Sequence, residues 1–394
     1  MAGDDLAAAG ASECQWPLIR LTRIEAMVWR APIDVPVVTS FGAMADRPVL
    51  LLRVEDQDGA HGWGEVWVNF PGCGAEHRAR LVETVLGPLV LNRPLRHPGE
   101  LFDHLRGRLR LLTIQAGEPG PLAQVTAGLD IALWDLAARK LGRPVRALLN
   151  PAAGAEVPAY ASGVHPDELR ERIDAVRDRG FRAYKLKVGF DDRRDADAVR
   201  EALAILGGRA ALMVDANQAW DLARALRMCN RLGNLDLAWL EEPLAADAPA
   251  REWRALAAES RVALAAGENV RGSEEFARLI GAGPVSVVQP DMCKWGGFSG
   301  CLPVARSALE AGRRYCPHFL GSGLGLVASA QLLAAAGGDG LLEMDVNPNP
   351  LREVLAQPFP RLASGQFPLP VDPGLGVEPD LAAAKPWLVM HRQA

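Results

Sequence analysis

The sequence predicts an α/β chain, a modified (β/α) barrel of the TIM type with an N-terminal α+β capping domain. Three observations predict it. Short apolar runs that end in an ionisable residue recur through the second half: AYKLK, ALMVD, LAWLE, ALAAGE, VSVVQPD and LLE. Their period of roughly 25 to 30 residues is that of one βα unit. Helical stretches such as HPDELRERIDAVRDRG, DADAVREALAILGG and SEEFARLIGAG lie between the runs, and such alternation implies a parallel sheet. The first part of the chain lacks this rhythm and shows strands followed by helices.

The elements follow in order. Residues 1–17, beginning MAGDDLAAAGASECQW, read as a flexible tail. They carry acids where a signal peptide has basic residues, and they have no leucine-rich core. Residues 18–150 form the cap. RLTRIEAMVWRA is apolar and β-branched, and PVLLLRVEDQDGAHGWGEV reads as two strands around the turn DQDGA. GAEHRARLVETVLGPLV has apolar residues at helical spacing. PLAQVTAGLDIALWDLAARKLGRPV is an amphipathic helix stopped by Gly142 and Pro144. Residues 151–362 form the barrel. Residues 363–394 turn rich in Pro and Gly and are expected to run back over the cap.

Composition narrows the function. The chain has 394 residues, enough for one large domain and a second. At 49% hydrophobic and 23% charged it has the balance of a soluble globular protein. A formal net charge of -5 argues against nucleic acid as a partner. No apolar stretch reaches the roughly 18 residues of a membrane span. Cys14, Cys73, Cys229, Cys293, Cys301 and Cys316 form no CxxC pair, which fits a reducing cytoplasm. A homo-oligomer is expected.

In a closed barrel all the strand ends fall on one rim. Lys187, Asp215, Glu241, Glu268, Asp291, His318 and Glu343 would then converge. Any one of these acids alone more often caps a helix or pairs with an arginine. Asp215, Glu241 and Glu268 in register on successive strands offer hard oxygen ligands that suit Mg²⁺ or Mn²⁺. Asn217 and Asn269 lie close by in VDANQ and GENV and are expected to contact substrate or support the acids, although turn chemistry alone explains such asparagines. Glu242 follows Glu241, and strand alternation lets only one of them face inward. Lys185 and Lys187 share a strand face, where anions must neutralise them, and crowded cations would lower a lysine's pKa as a base requires. Asp291 and His318 end neighbouring strands, within reach for an aspartate to fix the imidazole tautomer. Lys294 ranks below Lys187 as a base. His165, in AYASGVHP, reads first as a loop residue.

These residues resemble the enolase superfamily, and within it the mandelate racemase subgroup. The matching pieces are KLK at 185–187, DAN at 215–217, EEP at 241–243, GEN at 267–269, PDMCKWGG at 290–297, His318 and Glu343 in LLEMD. The GWGE hairpin at 62–65 and the helix DIALWDLAARKLGRP extend the resemblance to nearly the whole chain. The resemblance implies Mg²⁺ held by Asp215, Glu241 and Glu268. It implies Lys187 and the His318–Asp291 pair on opposite faces of the substrate. Lys185 would stabilise the substrate carboxylate, and Glu343 would donate a hydrogen bond to the enolate. The related muconate lactonizing subgroup has a lysine where this chain has His318 and Asp291, which counts against cycloisomerase chemistry.

The expected reaction begins with loss of the proton α to a carboxylate, which gives an enediolate. If a β-hydroxyl then leaves, the enzyme is a dehydratase of a sugar acid or another β-hydroxy acid. If the proton returns on the far face, it is a racemase or epimerase. An inactive binding or scaffold protein, or a Schiff-base enzyme using Lys187, would not need the three metal-binding acids. Phe41, Trp67 and Asn69 lie in cap segments expected to cover the barrel mouth and to meet a small-molecule carboxylate substrate. Val37, Val38 and Thr39 are read as part of the same loop.

Overall fold

In the computed structural model of the chain, residues 16–39, 42–281 and 283–394 are described. Phe41 and most of the segment read as a tail lie outside them. Trp16, within that segment, packs edge-on against His97 and Trp134. The barrel and the cap expected from the strand rhythm are both present.

The cap sheet is antiparallel. It contains β1 (Ile19–Thr39), β2 (Gly42–Asp56) and β3 (His61–Val66), with the short β4 (Pro94–Leu95) against the start of β1. In the DQDGA turn, Asp56 Oδ1 accepts from the backbone N–H groups of Asp58 and Ala60. Val37–Thr39 were read as loop, but they are the end of β1, paired with Gly42–Met44. The helix Pro119–Lys140 lies across the sheet. The GWGE hairpin can press against it because a Cβ at Gly64 would meet Gly128 O at 2.0 Å.

Eight parallel strands follow: β5 (Glu156–Val164), β6 (Ala183–Lys187), β7 (Ala211–Asp215), β8 (Leu240–Glu241), β9 (Leu264–Ala266), β10 (Val287–Val288), β11 (Arg314–Tyr315) and β12 (Leu342–Asp345). Their order is β11-β10-β9-β8-β7-β6-β5-β12. The ends of this path meet at a seam where Leu341 N donates to Cys316 Sγ at 3.3 Å. β13 (Gln366–Pro368) adds antiparallel to β5, and β14 (Leu388–Gln393) pairs antiparallel with β1 in the cap.

The barrel interior is layered, because residues two apart on a strand share a face. The lower layer is mostly apolar and buried: Tyr160, Ala183, Met213, Trp239, Ala265, Val287 and Cys316. Two residues further along β6, β7 and β8 stand Lys185, Asp215 and Glu241. The buried apolar layer closes the barrel beneath the rim.

Buried polar contacts lock the cap to the barrel. Glu65 accepts from Ser322 N, Ser322 Oγ and Gly325 N at 2.6–2.7 Å, at the start of the helix Gly323–Ala336. Arg47 on β2 meets Asp345 on β12 at 2.6 Å with both side chains buried. Asp130 accepts from Ser299 N at 3.0 Å, and its other oxygen has no partner among the described residues.

Burial raises Asp130 to about 7, against opposition from its Ser299 hydrogen bonds. The fold therefore favours its neutral form. Its stabilising contribution is complete below the ordinary aspartate value and is lost as pH rises through about 7. Asp130→Asn should gain stability relative to the wild type as pH rises from about 5 to about 7, by at most about 1.4 kcal/mol per pH unit. Unfolding free energies of both proteins across that range test this. A difference that does not change with pH would show that Asp130 does not titrate there.

Candidate active site

The strand ends bring the expected residues together. Lys185 and Lys187 point inward from β6. Asp215 ends β7 and Glu241 ends β8. Glu268, Asp291 and His318 lie just past β9, β10 and β11, and Glu343 is on β12. The parallel register sets Lys187 beside Asp215 and Asp215 beside Glu241.

Lys185 is wholly buried at the centre. Its Nζ lies 2.5 Å from Glu241, 2.7 Å from Glu343 and 3.7 Å from Asp215. Burial alone would lower its pKa, but Glu241 and Glu343 hold it well above the ordinary lysine value. Glu241 is itself pushed up to about 7 by burial, against Lys185, with Asp215, Glu343 and Glu268 adding to the rise. It also accepts from Trp239 Nε1 at 3.1 Å and Gln289 Nε2 at 2.7 Å.

The two candidate bases flank the carboxylate row. Lys187 donates to Asp215 at 2.6 Å and to Asn217 Oδ1 at 2.9 Å. At the other flank, His318 Nε2 lies 2.9 Å from Glu268 and Nδ1 lies 2.8 Å from Asp291. In the strand order β6 and β11 are five places apart, so these groups face each other across the barrel. Burial works against the charged imidazole, yet Glu268, Glu343 and Asp291 hold His318 well above the ordinary value. Burial also works against Glu268, which His318 and Lys294 hold well below the usual carboxylate range. Lys187 departs from expectation. Burial and the neighbouring Lys185 both pull its pKa down, as expected of crowded cations, but Asp215 outweighs them and the net shift is upward.

Sequence reasoning missed several contacts. Glu242 has a left-handed backbone, φ 37°. That breaks strand alternation, and its buried side chain accepts from Asn269 Nδ2 at 3.0 Å while Glu241 also faces inward. Burial, Glu268 and Asp215 push Glu242 well above the carboxylate range, against Lys294 and Asn269. Lys294 donates to Glu268 at 3.1 Å and Asn269 Oδ1 at 2.9 Å, and it stands 4.7 Å over the Trp67 ring. Ser162 donates to Glu343, as does Phe319 N at 3.2 Å. Asn217 also braces Asp215 from its own backbone N–H at 2.8 Å. Asn69 is buried and donates to Leu320 O at 2.8 Å, just past His318.

Among the described residues, no three acidic, histidine or cysteine side chains are already gathered around one point as metal ligands. The donor set nevertheless suits a divalent cation. Asp215, Glu241, Glu242, Glu268, Asp291 and Glu343 are six buried acids, and Lys185, Lys187, Lys294 and His318 are the four bases among them. Fully ionised, that cluster has a surplus of two negative charges. Burial is the first cause of the upward push on Glu241 and Glu242, and the neighbouring acids add to it.

Such a rim of buried acids and bases under a cap has the character of a barrel enzyme's active site. Residues 168–384 match the Enolase C-terminal domain-like family. Residues 23–150 match the Mandelate racemase / muconate lactonizing enzyme N-terminal domain. The chain belongs to the enolase superfamily, in its mandelate racemase subgroup. A solved mandelate racemase/muconate lactonizing enzyme from Bordetella bronchiseptica RB50 is 52% identical at a TM-score of 0.89, covering 94% of this chain and 99% of its own. D-galactarolactone cycloisomerase from Agrobacterium fabrum is 30% identical over 91% of this chain and 96% of its own length. Arabinonate dehydratase from Saccharolobus solfataricus is 28% identical over 84% of this chain and 89% of its own. L-talarate dehydratase from Polaromonas sp. JS666, solved with Mg and L-glucarate, is 26% identical at a TM-score of 0.81, covering 95% and 99%. The relatives are thus lyases and isomerases, and this chain is an enolase-superfamily enzyme.

The central lysine gives a direct test. Lys185→Met would leave Glu241, Glu343 and Asp215 facing one another without their shared cation. We expect a loss of about 3–5 kcal/mol in chelator-treated protein near pH 8. The loss should shrink towards pH 5 as Glu241 takes up a proton. Equal stability of variant and wild type near pH 8 would mean that Lys185 does not hold these acids together.

Proposed function

We propose that the protein removes the proton α to a carboxylate and dehydrates a sugar acid or another β-hydroxy acid to a 2-keto acid. The observation that carries this is the pair of opposed basic groups, Lys187 and His318, on the two flanks of one carboxylate row. Asp215, Glu241 and Glu268 would hold Mg²⁺, with Mn²⁺ as a chemically similar substitute. The bound metal would supply stabilisation for the negative charge that grows on the substrate carboxylate.

This chain's own residues account for the rest. Lys187 would act as the base once it is released from Asp215 and has given up its own proton, and it would then take the α-proton from one face. Lys185 stays protonated, because its pKa is held high, and offers its charge to the carboxylate oxygens. Glu343 accepts from Ser162 and Phe319 N. Burial works against its charge, yet Lys185 and His318 hold it below the usual carboxylate value, so it would have to take up a proton before it could donate a hydrogen bond to the enolate. His318, its ring held by Asp291, carries a proton on the opposite face. Delivered to a β-hydroxyl, that proton releases water and leaves an enol, which tautomerises by protonation at C3 to the 2-keto acid. Delivered to the α-carbon, it gives the inverted acid, so racemisation or epimerisation is the second reading that the same geometry favours. The first apolar layer below and the cap above keep bulk water from the carbanion. Cys73, Cys229, Cys293, Cys301 and Cys316 are free thiols, which supports a reducing cytoplasm. No helix among the described residues is long and apolar enough to cross a membrane.

Metal removal should abolish turnover, and Glu268→Gln should weaken Mg²⁺ binding with the fold retained. Calorimetric Mg²⁺ titration and assays after exhaustive chelation check this, and full activity in the chelated enzyme would remove the metal from the reading. The substrate panel should hold sugar acids, their epimers and their lactones. The readouts are 2-keto acid formation and exchange of the C2 proton in D₂O.

General acid–base groups typically contribute about 10² to 10⁴ in rate. His318→Asn should lower dehydration by that factor or more, while Lys187 still exchanges the C2 proton of one configuration. Lys187→Ala should show the opposite preference. Asp291→Asn should give a milder version of the His318 loss. Unchanged exchange and turnover in His318→Asn would reduce the histidine to a structural role.

A further inference from the structure

The adjacent side chains of Lys294 and Trp295 point to different places. Lys294 turns to Glu268 and the Trp67 ring. Trp295 packs on Phe102 and Phe276, at ring-centroid distances of 6.2 and 5.4 Å. On that side lies a cavity of about 360 Å³, within the usual range of about 300–1,000 Å³ for small-molecule sites. Its apolar wall is Phe102, Leu105 and Leu109 of the helix Pro98–Ala116, Leu122 and Ala123 of the helix Pro119–Lys140, and Trp295. None of the acids and bases of the active site lines it.

The charge around this cavity has one sign. Arg106, Arg110 and Arg271 border it, and among the described residues no acid does. Arg106 reaches Asp103 at 3.5 Å, with both side chains largely exposed. Arg110 and Arg271 have no hydrogen bond or ion pair among the described residues. In a chain of net charge -5 this is a local reversal of sign. A polyol would find little here, since the Thr126 hydroxyl is spent on Leu122 O at 2.8 Å. An apolar wall beside two unpaired guanidiniums fits a ligand with an apolar body and one anionic end.

The cavity also touches two segments of the active site from behind. Arg271 and Gly272 close the segment that begins with Glu268 and Asn269 and leads into the helix Ser273–Ile280. Trp295 follows Lys294 directly, and its N–H donates to Asp291 O at 3.0 Å.

We propose that this cavity binds a small amphipathic monoanion, an aromatic or medium-chain body bearing one carboxylate, and that its occupancy stiffens residues 267–272 and 291–297. The body lies against Phe102, Leu109 and Trp295, and the carboxylate meets Arg110 and Arg271. Such a ligand is an effector and not the substrate, because the cavity holds none of the groups that move protons.

The test uses the full chain with Mg²⁺ and three probes that share one apolar body: phenylbutyrate, phenylbutanol and phenylbutylamine. Calorimetry gives Kd and stoichiometry, and backbone hydrogen exchange follows residues 267–272 and 291–297. Phenylbutyrate should bind once per chain, at least about fivefold tighter than the alcohol and by a larger margin over the amine. Exchange in both segments should slow when it is bound. Arg110→Gln combined with Arg271→Gln should remove the margin, and both side chains are exposed and unpaired, so the fold does not depend on them. Ala123→Trp should block all three probes by filling the cavity. Binding that the arginine variant leaves unchanged would place the carboxylate elsewhere, at the active-site metal for instance, and overturn the inference. Equal affinity for acid and alcohol would do the same. Self-association of the chain that excludes the probe would assign the cavity to a second copy and overturn it too. Unchanged exchange in both segments at saturating phenylbutyrate would overturn the stiffening.

Discussion

One buried ammonium group governs the rest of the active site. Lys185 sits where three carboxylates from β7, β8 and β12 converge. Like charges so close together in a dry interior repel strongly, and each buried carboxylate loses its hydration. The lysine makes the arrangement tolerable without cancelling it. The remaining surplus of negative charge draws the other cations in from the sides, Lys187 on Asp215 and both His318 and Lys294 on Glu268. The functional geometry is thus an electrostatic packing problem with few solutions. The apolar layer of Tyr160, Met213, Trp239 and Cys316 beneath it keeps the dielectric low enough for that to hold.

Much of this was legible in the sequence, for a physical reason. A parallel barrel strand is buried on both faces, so an ionisable residue at its end stands out against an apolar run. Repeated at one period, that signal places Lys187, Asp215, Glu241, Glu268, Asp291, His318 and Glu343 on a common rim. What it cannot place is any contact that depends on a single dihedral angle or on distant chain segments. Glu242 faces the site because its backbone is left-handed, a conformation that a glutamate following a strand does not announce. Arg47 and Asp345 are 298 residues apart and meet only when the cap is seated. Val37 and Val38 lie close to Pro36 and carry no alternation to mark them as strand, yet pairing with Met44 and Ala43 extends β1 through them. Lys294 ranked as a minor candidate because position along a strand says nothing about how far a long side chain reaches around a barrel.

The cap and the barrel are joined through buried charges and carboxylate–amide contacts as well as apolar packing. Glu65 fills the amide-lined start of a barrel helix, and Asp135 takes the N–H groups of Trp63 and Leu375 at 2.8 and 2.6 Å. Such contacts are directional, so they fix the orientation of the cap with a precision that side-chain packing alone does not supply. Glu65 is near the end of β3, and Trp67 and Asn69 follow directly after it. Asn69 in turn grips the backbone just beyond His318. The cap thus holds the backbone two residues beyond His318, while the imidazole itself is held by Asp291 and Glu268 of the barrel.

The strand β14 has a consequence for biosynthesis. It completes the cap sheet by lying along β1, with Gln393 opposite Glu25. A ribosome that has just released the helix Gly323–Ala336 and β12 has delivered every barrel strand, but the first cap strand still shows a bare edge. Such an edge is a template for the wrong neighbour until its own partner arrives. The first strand of the cap precedes the barrel strands and its last follows them, so the cap sheet is complete only after all eight barrel strands have been made, and a chain stalled before β14 would be a natural target for chaperones.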